Sequence, residues 1–203
     1  MNIYYIGGSP CSGKSTIAQA LAERFSLRYF RVDDRLDAYL ARAAAERLPI
    51  CKSLAAMTPD ENWLRDPEEQ CRTELLFYEE TVDYLMADVE ALDDNAIIEG
   101  AACMPCLMPW LGVPPERYIS IVPEAEFQLM HYRKRPWVKN VLAGCSDREL
   151  AFARWMKRDM LFAEDVLQQC SECGYRSIVN DGSMTIDALT GLVTEHFGLA
   201  ELP

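Results

Sequence analysis

The chain has 203 residues, 50% of them hydrophobic and 26% charged, which excludes a disordered chain and suffices for a single domain with a sizeable core. Its 32 acidic against 20 basic residues give a formal charge of −12, a poor match to nucleic acid or an anionic membrane surface. The longest uncharged run, Gly100 to Pro115, is 16 residues long, is broken by prolines, and falls short of the roughly 20 apolar residues a bilayer span needs. The chain enters Asn2-Ile3-Tyr4-Tyr5-Ile6 with no basic leader or small-residue cleavage site, so a cytoplasmic location is expected. Eight cysteines then read as reduced thiols rather than a disulfide framework.

In chain order, Ile3 to Ile6 is a short apolar strand, residues 14 to 25 carry helical periodicity, and Leu27 to Val32 is β-rich again. Helical stretches near 34–47 and 68–92 follow, then three further strands at Ala96 to Ile98, Tyr118 to Val122 and Arg176 to Val179. Five short strands alternating with helices predict an α/β fold: a parallel sheet with helices on both faces. Thr58-Pro59-Asp60-Glu61, Asp66-Pro67-Glu68-Glu69 and Ser146-Asp147-Arg148-Glu149 predict helix starts capped by Thr58, Asp66 and Ser146. Gly174 and Gly198 suit helix ends. Leu75, Tyr78, Val82, Leu85, Val89 and Leu92 form a stripe on the 68–92 helix. It is expected to pack on the sheet, with a homodimer seam as the alternative.

Gly8-Ser9-Pro10-Cys11-Ser12-Gly13-Lys14-Ser15 satisfies the Gly-x4-Gly-Lys-Ser/Thr pattern and lies where its chemistry requires, between a strand and a helix. Gly8 and Gly13 permit the tight turn, so that the backbone of Ser9, Cys11, Ser12 and Thr16 can face phosphate oxygens at a helix N-terminus. Lys14 reaches the β- and γ-phosphates, and the Ser15 hydroxyl is a Mg²⁺ ligand. Cys11, beside Lys14 and a helix N-terminus, is expected to have a lowered thiol pKa and to make activity oxidant-sensitive.

With these residues the sequence resembles the P-loop kinases, the group that includes shikimate and gluconate kinases, nucleoside monophosphate kinases, chloramphenicol phosphotransferase and the kinase domain of polynucleotide kinases. The resemblance implies a three-layer P-loop NTPase fold over residues 1–203: a five-stranded parallel sheet, a substrate-side helical region at about 34–92 and a mobile lid at about 131–158. It implies ATP and Mg²⁺ as cofactors and transfer of the γ-phosphoryl group to a hydroxyl of a small molecule. Asp33, at the end of the second strand in Phe30-Arg31-Val32-Asp33-Asp34-Arg35, matches the position that orients the acceptor hydroxyl in these families, while Asp34 reads as a helix cap. Ala96-Ile97-Ile98-Glu99-Gly100 resembles the strand whose terminal acid holds Mg²⁺, with Glu99 in place of the usual Asp.

From His131 to Arg158 there are eight basic residues against only Asp147 and Glu149. Arg133-Lys134-Arg135-Pro136-Trp137 looks like the lid of shikimate kinases. Arg133 is therefore expected at the nucleotide, and Arg135, Arg154 and Arg158 at the transferring phosphoryl. Asn180 and Asp181, in the turn after the fifth strand, are expected against the adenine. Between Asp60 and Glu99, 14 acidic residues face only Arg65 and Arg72, which favours a neutral or cationic acceptor over a phosphorylated one.

Two other readings compete. In one, the chain is a nucleotide-binding regulatory or sensor protein without small-molecule transfer. In the other it is a polynucleotide 5′-hydroxyl kinase, suggested by Asp33-Asp34-Arg35 but opposed by the net charge. Cys103-x-x-Cys106 and Cys170-x-x-Cys173 resemble a zinc site, but the topology is expected to place the pairs at opposite edges of the sheet.

Overall fold

The computed structural model describes residues 1–200. Five strands, β1 (Ile3–Gly7), β2 (Arg28–Arg31), β3 (Ala96–Glu99), β4 (Tyr118–Pro123) and β5 (Arg176–Asn180), pair in parallel in the order β2-β3-β1-β4-β5. The central strands β3 and β4 are buried throughout, as β-rich runs covered on both faces should be. The edge strands β2 and β5 instead expose Arg28, Arg31, Arg176 and Ser177, polar side chains that discourage further pairing.

Alternation along β1 sends Tyr4 and Ile6 to one face and Tyr5 to the other. The first face is covered by α1 (Lys14–Phe25) and α9 (Ile186–Phe197), through Ile17, Leu21, Leu189 and Val193. The second carries α5 (Pro67–Glu90) and α8 (Arg148–Cys173), and beyond them α2 (Leu36–Ala45) and α3 (Pro49–Ala56). The three layers are those expected. The predicted stripe of α5 lies inside the protein: Tyr78, Leu85, Val89 and Leu92 belong to this core and Leu75 packs against it.

The stretch expected as one helix at 34–47 is a 3₁₀ turn, Val32–Asp34, followed by α2. A left-handed Arg47 then ends it, with α3 and α4 (Pro59–Trp63) each opening on a proline. Thr58 and Glu61 form the expected capping box, and Asp66 caps α5 by accepting from Glu68 N–H. At α8 the cap is Asp147, which accepts from Leu150 N–H at 3.0 Å, and not Ser146. Ser146 N–H is diverted to Asp60 Oδ1 at 2.8 Å, which ties the start of α8 to α4.

Residues 131–158 comprise the end of α6 (Ala125–Arg133), the short α7 (Val138–Val141), a connection and the first turns of α8. One topological expectation is corrected. The segment after β3 folds back along the sheet face, with Cys103 O accepting from Tyr118 Oη at 2.8 Å and Cys106 N–H donating to Gln169 Oε1 at 3.1 Å. The two Cys-x-x-Cys pairs therefore share one face. All eight cysteines are unpaired, and no group of three or more Cys, His, Asp or Glu poised for a metal occurs among the described residues. No helix among them is long and apolar enough to cross a membrane.

Candidate active site

The loop between β1 and α1 is shaped by backbone constraints that few side chains tolerate. Gly8 has φ 119°, and a Cβ there would lie 2.0 Å from Ile121 O, so the chain can press onto β4 only without one. Gly13, at φ 89°, precedes α1, and no side chain caps that helix among the described residues, so its first-turn N–H groups stay available to an anion. The loop is braced from outside. Ser9 Oγ donates to Asp159 O at 3.1 Å, and Asn180 Nδ2 donates to Ser12 O at 2.9 Å. The buried Ser12 hydroxyl makes no hydrogen bond among the described residues.

Lys14 is only 4% exposed, with Nζ 3.4 Å from Ser9 O and 3.6 Å from Glu99 Oε1. Glu99, completely buried at the end of β3, also accepts from Ser15 Oγ at 3.1 Å and from Tyr29 Oη at 2.9 Å. Burial and the Glu99 charge push the Tyr29 hydroxyl well above its ordinary range, so it remains a donor to this carboxylate. Asp33 sits in the 3₁₀ turn after β2, where Gly100 makes room: a Cβ on that glycine would come within 3.1 Å of Asp33 Oδ1. Loop residues Pro10–Thr16, Asp33, Arg31 and Arg135 line one cavity of about 310 Å³.

No protein-family model and no curated protein sequence matches the chain. Among solved structures it is similar to shikimate kinase from Bacteroides thetaiotaomicron, with a TM-score of 0.53 and 12% identity over 98% of this chain and 99% of that one. It is also similar to deoxyadenosine kinase from M. mycoides with bound dATP, with a TM-score of 0.51 and 14% identity over 98% of this chain and 100% of that one. The fold is that of the P-loop kinases.

In this P-loop kinase fold the carboxyl ends of β1, β2 and β3 converge on one crevice, and they carry the phosphate loop, Asp33 and Glu99. The lid arginines are dispersed around it. Arg135 lines the crevice, its guanidinium lying 5.2 Å from the Tyr132 ring and 5.6 Å from that of Trp137. Arg154 donates to Leu64 O. Arg158 is buried against Asp159, 2.6 Å away, and Glu74, and lines a separate cavity of about 180 Å³ with Arg65, Trp63 and Gln70. Burial would lower the Arg158 pKa, but the two carboxylates outweigh it and hold the guanidinium charged. Arg133, exposed at the end of α6, faces a third cavity. Asn180 buttresses the loop from the side opposite Asp33, and Asp181 accepts from Ser183 N–H in a local turn.

The expected lowering of the Cys11 thiol pKa is overturned. Cys11 is buried among Tyr132, Val138 and Trp155, and burial pushes the thiol up to about 11; the Asp159 charge adds to this, and Arg135 and Lys14 do not compensate. Two neighbours of the site escaped the sequence reading. Tyr29 is one β-rich residue among several until its hydroxyl is seen on Glu99. Asp159 joins the phosphate loop, Tyr132 (Oη–Oδ2 2.9 Å) and Arg158 from the middle of a helix with no motif around it.

Proposed function

We propose that the protein is an ATP- and Mg²⁺-dependent kinase that transfers the γ-phosphoryl group to a hydroxyl of a small molecule. The observation that carries this is the single cavity in which the Asp33 carboxylate faces the phosphate loop, Ser15 and Arg135. The residues present suit a nucleotide. The partnerless Ser12 hydroxyl and the uncapped N-terminus of α1 offer donors to phosphate oxygens, and Lys14 is held beside them. Ser15 and Glu99 supply the hard oxygens that Mg²⁺ prefers, and the ion neutralises phosphate charge when bound. Asp33 accepts the proton of the acceptor hydroxyl, and Arg135 meets charge on the equatorial oxygens.

The acceptor is best accommodated in the 180 Å³ cavity between α5 and the α2–α4 segment, closed by Arg158 of α8. Glu74 on its wall accepts from Tyr78 Oη at 2.5 Å, and burial, then the charges of Glu74 and Asp33, push that hydroxyl well up, with Arg158 opposing. Its small volume suits a compact polar molecule. Arg65, which bonds Asn62 and Thr73 but no carboxylate among the described residues, is a group for an electron-rich substituent.

The test is a coupled ADP-release assay with Mg-ATP over sugars and polyol acids, nucleosides, shikimate-like acids, aminoglycoside and amphenicol antibiotics and a 5′-hydroxyl oligonucleotide, with Lys14→Ala as blank. One small-molecule class is expected to raise turnover well above the acceptor-free rate. Asp33→Asn should then lower kcat by about 10²-fold or more while ATP affinity stays within a few-fold. ADP release at the blank level with every acceptor, alongside tight nucleotide binding, would favour a sensor instead.

A further inference from the structure

A larger cavity, lined by residues of α6, α7 and α8 and the connections between them, adjoins the crevice at Arg135. Its volume is about 850 Å³, within the roughly 300–1,000 Å³ range of sites that enclose a small organic molecule. Leu142, Phe152, Met156 and Met160 make its floor apolar, and the two methionines give it an adaptable surface. Around that floor stand Arg133, Arg135, Lys139, Arg148 and Lys157, against Glu149 alone.

In a chain of net charge −12, cations are expected to find carboxylates, yet none of these five forms an ion pair among the described residues. Arg148 donates to the neutral Ala143 O, and the Arg135 guanidinium lies over the Tyr132 and Trp137 rings. Lys139 and Lys157 are exposed, with long apolar stems that can lie over the floor while their ammonium groups reach the opening.

We propose that this cavity binds an amphiphilic small-molecule anion, an aromatic or acyl body bearing a carboxylate, sulfonate or phosphate, at a site that meets the nucleotide crevice only at Arg135. The apolar floor rules against a bare inorganic anion, which would gain nothing from it. The uncompensated cations rule against a neutral or cationic ligand. The cavity opens to solvent on the side of the exposed Lys139 and Lys157, and its volume of about 850 Å³ matches a small organic molecule. Arg135 lines both cavities, but Arg133, Lys139, Arg148 and Lys157 do not line the phosphate crevice, so the inference rests on groups the kinase reading does not use there.

The probe is 1-anilinonaphthalene-8-sulfonate, titrated by fluorescence against the full chain, with its uncharged relative N-phenyl-1-naphthylamine in parallel. The double variant K139E/K157E changes two exposed side chains outside the proposed catalytic machinery, and an unchanged thermal unfolding curve verifies that it is folded. The sulfonate is expected to bind wild type at one site with a Kd at least about tenfold tighter than the variant, a difference of about 1.4 kcal/mol. The uncharged relative should not distinguish the two proteins, and dodecanoate, but not dodecanol, should displace the sulfonate. Mg-ATP affinity should be the same in both proteins. Equal sulfonate affinity for the two proteins would overturn the proposal. So would a fall in Mg-ATP affinity as large as that for the sulfonate, which would make the cavity an extension of the nucleotide site.

Discussion

At the scale of single residues, Cys11 shows how burial reverses a reading based on charge alone. The sequence places a thiol next to Lys14 and a helix N-terminus, and the electrostatic part of that reading holds, since Lys14 and Arg135 both pull the thiol pKa down. What the sequence does not display is the wall of Tyr132, Trp155 and Met156, brought from residues more than a hundred positions away, that removes the thiol from water. Cys11 also adopts φ 66°, a left-handed conformation that costs a non-glycine residue about 1–3 kcal/mol and that its packing must offset. With the pKa up at about 11, the thiolate fraction at pH 7 is at least about a hundredfold below that of a free cysteine. Iodoacetamide labelling of the Cys11 peptide, followed by mass spectrometry on the native protein, should be slower by a similar factor and should accelerate about tenfold per pH unit between pH 7 and 10. Labelling at pH 7 as fast as that of a free thiol would show that the side chain is accessible and ionised.

At the scale of elements, the junction of β2 and β3 decides where the proposed base sits. Gly100 follows Glu99, and a Cβ on it would come 2.7 Å from Val32 Cβ, a side chain with no exposure and no room to retreat. Gly100→Ala is therefore expected to destabilise the protein by about 1–3 kcal/mol, as overpacking does, and to push the Val32–Asp33 turn outward. Urea unfolding reads the first effect. Steady-state kinetics should read the second as a lowered kcat with ATP affinity retained, and wild-type values of both would mean that the turn adjusts freely. Local chemistry made much of this legible: an apolar run ending in Glu-Gly, prolines at helix starts and the Thr58 capping box all sit where their side chains dictate. Features set by long-range contact were not legible. Asp147 rather than Ser146 caps α8, and Ser146 N–H is tied to Asp60, 86 residues earlier, while the segment after β3 is held on the sheet face by Tyr118 and Gln169.

At the scale of the whole molecule, alternation of apolar runs with helices implied the parallel sheet, but which buried groups would titrate depends on how the layers close. Closure has placed thiols and phenols in the core: burial is the leading cause of pKa values pushed up to about 12 at Tyr5, Cys51 and Cys71 and to about 11 at Cys11 and Cys106. All shift in one direction, so the folded state holds these protons more tightly than the unfolded chain, whose thiols and phenols ionise near 9 and 10. The sign follows from linkage: the contribution is fully present below about pH 9 and is lost as pH rises through 9 to 12. The urea midpoint is therefore expected to hold up to about pH 9 and then fall steadily. General self-repulsion of a chain already at −12 would also weaken it in alkali, but repulsion among exposed charges is screened by salt, whereas the cost of ionising a buried thiol is not. Repeating the series in 0.5 M NaCl, where the screening length shrinks to about 4 Å, separates the two causes. Persistence of the fall identifies the buried groups as its source. Its disappearance would assign the alkaline loss to surface charge, and a midpoint flat to pH 10.5 would mean that the core thiols and phenols are not sequestered from water.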